Sequence, residues 1–179
     1  MVAALLNQRT ATKKSGAIAD LVESSGGVLG VGAGNELSYV NAGVIKDKID
    51  TVMGLAAELV QQPSFDQGEL DRQKQQALSA MQVSYEDPDF VAGVVYDRLI
   101  YGFHPYGRPP GGTLDSVAKI SRADLVEFHK TWFAPNNALL AIVGDLTADE
   151  MFAAATKAFG GWARHDVPAQ TQEIGRAHV

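Results

Sequence analysis

Cysteine is absent from all 179 residues. Disulfide scaffolds, thiolate zinc sites and cysteine nucleophiles are excluded with it. No apolar run approaches the length of a bilayer span. Positive charge is also scarce: 15 Lys and Arg stand against 21 Asp and Glu, for a formal net charge of -6. A nucleic-acid or anionic-membrane partner would need a basic surface, so neither is expected. No Gly-Lys-Ser/Thr phosphate loop and no Gly-x-Ser-x-Gly elbow occurs. The four histidines are His104, His129, His165 and His178, and no two share a helical turn as metal ligands would.

What remains is an ordinary globular composition, 46% apolar and 20% charged. A chain of this length buries roughly two thirds of its unfolded surface, enough for one real core. No signal peptide is visible, because Met1 runs into Val2-Ala3-Ala4-Leu5-Leu6 without a charged leader region. A start further upstream would carry any leader with it, and export to a periplasm would then fit. Met1 reads equally as an internal methionine. Glu173 to Val179 reads as translated sequencing adapter and is set aside. The expected organisation is one partial domain over 1–166, a linker over 167–172 and an extraneous tail over 173–179.

Local signals place the elements. Ser15 opens a helix with Ile18, Leu21 and Val22 on one face, stopped by Gly26-Gly27. Residues 28–34 and 37–45 read as two strands turning at Gly34-Asn35. Asp47 is placed to cap the next helix, which Pro63 ends. Ser64 with Gln67 reads as a capping pair for a third helix running to about Val83. Asp87-Pro88 starts a fourth helix reaching Tyr101-Gly102, and residues 103–112 are a loop. Ser121 with Asp124 and Thr147 with Glu150 open two more helices. Between them, Ala138 to Val143 reads as an apolar strand. The predicted class is α+β: a small, mostly antiparallel sheet covered on one face by several helices. Only three strands are visible for that many helices, so the sheet is expected to be incomplete at the N-terminus.

Chemistry-bearing patterns are sparse. Gly30, Gly32 and Gly34 invite a dinucleotide loop, but Asn35 stands where the third glycine belongs and a strand follows instead of a helix. Glu86, Asp87 and Asp89 fit a helix start better than a metal site, since acids there favour the helix dipole. His104 is expected to hold its loop, and His129 to sit at a core edge beside Phe128, Trp132 and Phe133. No catalytic constellation emerges from the residues themselves.

A series of segments nonetheless resembles the pitrilysin/insulinase family of zinc metallopeptidases. Phe103-His104-Pro105-Tyr106-Gly107-Arg108-Pro109 followed by Gly112-Thr113 is similar to that family's loop motif. Ile120-Ser121-Arg122-Ala123-Asp124-Leu125, Phe128-His129-Lys130, Phe133-Ala134-Pro135-Asn136-Asn137 and Ala141-Ile142-Val143-Gly144-Asp145 resemble the passage that follows. Glu23-Ser24-Ser25-Gly26-Gly27, Pro63-Ser64-Phe65 and Leu70-Asp71-Arg72 fit the same frame, over about residues 4–165.

The family's catalytic domains hold zinc with an inverted H-x-x-E-H motif and a distal glutamate, and the motif's own glutamate acts as base on the bound water. The resemblance puts the second histidine at Ala4, the base at Ala3, the first histidine before Met1 and the distal glutamate at Ala80. Alanine neither coordinates metal nor moves a proton. No cofactor is therefore expected in this chain. The resemblance implies a zinc-less domain that pairs with a zinc-bearing catalytic subunit of the same family to enclose peptide substrates. The strand that holds substrate backbone in catalytic relatives would be Leu29-Gly30-Val31-Gly32-Ala33, without the family's asparagine and threonine. Two alternatives stand beside this: a structural core-type member of a respiratory complex, and an active zinc endopeptidase in a shifted register.

Overall fold

The computed structural model describes residues 1–169. The linker beyond residue 169, the tail at 173–179 and His178 lie outside the described residues. The chain opens with two helices, α1 (Val2–Leu6) and α2 (Ser15–Ser24). A hairpin of β1 (Val28–Ala33) and β2 (Ser38–Gly43) follows. Then come α3 (Ile49–Gln61), α4 (Gln67–Ser84), α5 (Pro88–Tyr101), α6 (Leu114–Lys119), α7 (Arg122–Trp132) and α8 (Ala148–Phe159). This is the expected α+β class, with one antiparallel two-stranded sheet among the described residues.

Two apolar clusters hold the layers together. Val2, Leu5 and Leu6 of α1 meet Phe65, Leu70 of α4 and Leu125 of α7 in the first. Ile18 and Val22 of α2 meet Leu55 and Leu59 of α3 in the second. The hairpin spans both: Val40 packs on each cluster, Val31 on the first and Leu29 on the second. Val31 pairs with Val40 across the ladder, so one face of the sheet is covered by helices. Each fully buried Leu here contributes about 1.5–3 kcal/mol.

Several starts and stops follow local chemistry. Gly26 takes φ 60°, and the Gly27 N–H returns to the Val22 carbonyl at 3.0 Å, closing α2 as the glycine pair predicts. Asp87 caps α5 ahead of Pro88, and Ser121–Asp124 and Thr147–Glu150 form the reciprocal capping boxes expected of them.

Other expectations need correction. The hairpin turns one residue later, over Asn35-Glu36, closed by the Gly34 N–H on the Leu37 carbonyl at 2.8 Å. α3 begins after a 3₁₀ turn at Lys46–Lys48 and carries no side-chain cap, so Asp47 does not serve. Asp66, not Ser64, caps α4, accepting from the Gly68 and Glu69 N–H groups at 3.0 and 3.3 Å. Ser64 is drawn elsewhere: its hydroxyl donates to the Arg9 carbonyl. α6, capped by Thr113 with Ser116, lies just beyond the predicted loop 103–112, in a stretch to which no element was assigned.

Ala138 to Val143 is not a paired strand. No backbone hydrogen bond joins it to any described residue, and Leu139 and Val143 are 91% and 97% exposed. A strand is stable only through a ladder to a neighbour, and none of the described residues supplies one.

Candidate functional site

α1, α4 and α6 enclose a cleft of about 570 Å³. Ala4 comes from α1; Gln73, Gln76, Ala77, Ala80 and Met81 come from α4; Val117 comes from α6. Phe90 and the turn Pro109–Gly112 close the far end. The sequence builds the walls locally. Gly112 sits at φ 85°, where an L side chain is strained, and its N–H closes the turn on the Pro109 carbonyl at 2.8 Å. Lys74 reaches from α4 to the Ala118 and Ile120 carbonyls at 2.7 and 2.9 Å, fixing the end of α6 against it. Arg72 donates to the Gln8 side chain at 2.9 Å, tying α4 to the segment that leaves α1.

Ala4 and Ala80, distant in sequence, thus line one cleft. Ala3 does not join them; it is 5% exposed and turned into the interior. The lining contains no histidine, aspartate or glutamate among the described residues. Among the described residues no cluster of three or more His, Asp or Glu could hold a metal ion. The cleft offers apolar surface with a glutamine and serine rim, a chemistry that fits neutral, largely apolar groups.

Leu29, Gly30, Val31, Gly32 and Ala33 form β1. Leu29 and Val31 point into the core. Gly30 and Gly32 face outward, where Asn41 and Tyr39 of β2 lie across them and a side chain at either glycine would collide. One edge of β1 is paired in full with β2, and its other edge has no partner strand among the described residues.

The described histidines serve structure. His104 Nδ1 accepts from the Tyr106 N–H at 3.2 Å, and its ring packs edge-on against Tyr106, so it holds its loop as expected. His129 lies at the core edge, Nε2 2.8 Å from the Val60 carbonyl and its ring stacked on Phe133. Burial pushes the His129 pKa below the ordinary histidine range, against the opposing effect of the Val60 hydrogen bond. His165 Nε2 lies 3.3 Å from the Thr131 carbonyl. Of the acidic trio, Asp87 accepts from the Asp89 N–H at 3.0 Å as a helix cap.

One group was missed altogether. Glu58, its side chain 14% exposed, receives hydrogen bonds from Lys13, Thr10 and Thr12. Burial alone would raise its pKa; those donors and the Lys13 charge outweigh it and hold the carboxyl at about 2. The signal was an acid set between the buried Ala57 and Leu59 of α3.

The profile of the insulinase family (peptidase family M16) matches residues 1–109, and that of the peptidase M16 inactive domain matches residues 119–178. The chain belongs to the insulinase family and resembles its inactive members. A protein of Mycobacterium leprae described as an uncharacterized zinc protease is 27% identical over 156 residues, 87% of this chain and 35% of its own. The non-peptidase homolog YmxG of Helicobacter pylori is 28% identical over 152 residues, 84% of this chain and 35% of its own. The peptidase M16 inactive domain from Pseudomonas fluorescens superposes with a TM-score of 0.89 at 29% identity, over 96% of this chain and 42% of that one. The chain therefore spans about a third of the length of its curated relatives.

Proposed function

We propose that this chain is a non-catalytic domain of an insulinase-type peptidase, working beside a zinc-bearing domain of the same family to enclose peptide substrates. Ala4 and Ala80 stand at two zinc-ligand positions and Ala3 at the position of the general base. The observation that carries this reading is the meeting of Ala4 and Ala80 in one cleft, with no ionised side chain in its lining among the described residues. Two residues far apart in sequence meet there, as positions descended from one ligand set would. The likeness to an inactive domain and to a non-peptidase homolog supports the same reading, and the greater length of those relatives supports a second domain. Zinc belongs to the partner in this scheme. Without a metal-bound hydroxide the chain has no source for the barrier reduction that peptide hydrolysis needs.

Two measurements test it. Metal analysis of the purified protein after mild dialysis should find far less than one zinc per chain; one tightly held zinc would sink the proposal. In the second, Ala4→His with Ala80→Glu should bind cobalt or zinc more tightly than either single variant. Equal, negligible binding by all three would show that the two positions do not form a ligand pair.

A further inference from the structure

Phe65 is the only non-glycine among the described residues with positive φ, at 46°. A bulky L-residue holds that conformation only where its surroundings over-determine it, and such residues cluster at functional sites. Here the constraints are explicit. The Phe65 ring is 3% exposed within the first apolar cluster. Arg122, the first residue of α7, donates from Nε to the Phe65 carbonyl at 2.7 Å and from Nη2 to the Ser64 carbonyl at 3.0 Å. The Ser64 N–H donates to the Arg9 carbonyl at 3.1 Å, and Arg9 Nη1 donates to Asp66 at 3.1 Å. Asp66 in turn caps α4.

One short turn therefore receives the segment leaving α1, launches α4 and is gripped by α7. α1 and α4 are the helices that present Ala4 and Ala80 to the cleft. Apolar packing between them, through Leu5, Leu6 and Leu70, is non-directional and tolerates sliding. A guanidinium forked across two successive carbonyls is directional. We infer that the turn at residues 63–66 is a clasp that sets the spacing of α1 and α4 across the cleft, with Arg122 as the positioning residue that holds it. The clasp stands on these contacts alone, so it holds or fails independently of whether the cleft descends from a zinc site.

The absence of cysteine makes the test direct. Ala4→Cys with Ala80→Cys provides two unique attachment points for nitroxide labels, and pulsed electron resonance reads the distance distribution between them. In that background Arg122→Gln should broaden the distribution and shift its mean, and Arg122→Lys, which keeps the charge but loses the fork, should do so less. Ile18→Val, in the second apolar cluster, should lower Tm while leaving the distribution unchanged. If Arg122→Gln lowers Tm but leaves the distribution as it was, the turn is a stabilising contact only and the inference is overturned. Equal broadening by Ile18→Val would overturn it too, because spacing would then track general stability.

Discussion

Glu58 shows how much one residue can hold. Its carboxylate gathers Thr10, Thr12 and Lys13 from the connection after α1 onto α3. Thr10 is itself 2% exposed, and its hydroxyl also accepts from the Lys13 N–H at 2.9 Å. With a folded pKa of about 2 against an ordinary 4.5, this group stabilises the fold fully above pH 4.5. That contribution is lost as pH falls through 4.5 towards 2. By linkage it is on the order of 2–3 kcal/mol at neutral pH. His129 works in a different window. Its folded pKa is lowered, so the unfolded chain binds the proton more readily and stability falls as pH drops below the ordinary histidine range. Urea unfolding at a series of pH values should separate the two. Glu58→Gln should flatten the curve between about pH 4.5 and 2, and His129→Gln should flatten it below the ordinary histidine range, about pH 6.5. A Glu58→Gln curve that still falls in parallel with the wild-type one would show that the acid loss comes from other carboxylates.

At the scale of elements, most of the boundaries that were legible in the sequence are made by neighbours along the chain, although the equally local Thr113–Ser116 box that opens α6 went unread. Asp87-Pro88, Ser121 with Asp124 and Thr147 with Glu150 are self-contained within one turn, and each forms as read. Boundaries decided by distant residues were not legible. The start of α4 depends on Arg9 and Arg122 pulling Ser64 aside, and nothing near Ser64 announces either. The Ala4–Ala80 cleft was legible only through family resemblance, because two alanines carry no chemical signal of their own. The corrected cap has a measurable consequence. Asp66→Ala should cost about 1–2 kcal/mol, since it removes the α4 cap. Ser64→Ala removes one long hydrogen bond of 3.3 Å and should cost well under half of that. Equal losses in thermal unfolding would return the cap to Ser64.

For the molecule as a whole, the governing feature is exposed apolar surface. α5 is apolar around most of its circumference, yet none of its residues is buried. Val95, Tyr96, Leu99 and Ile100 are 52–78% exposed, and Phe103 just beyond is 84% exposed under the Arg98 guanidinium. A helix of that composition ordinarily lies inside a larger body. The extended segment 138–143 adds a second uncovered surface, with apolar side chains and a backbone that pairs with none of the described residues. Such a segment readily accepts a strand from another chain. Relatives that superpose along this chain carry more than twice its length, so additional polypeptide is available to cover both surfaces in them. By itself this chain should therefore self-associate. Size-exclusion chromatography with light scattering should give a mass that rises with concentration. Leu99→Glu with Tyr96→Glu should lower that mass if α5 is the contact, whereas Leu139→Glu with Val143→Glu should lower it if the extended segment is. A longer version that includes the polypeptide its relatives carry should run at a constant mass. A concentration-independent monomer from the 179-residue chain, melting in one cooperative step, would show that neither surface needs a cover.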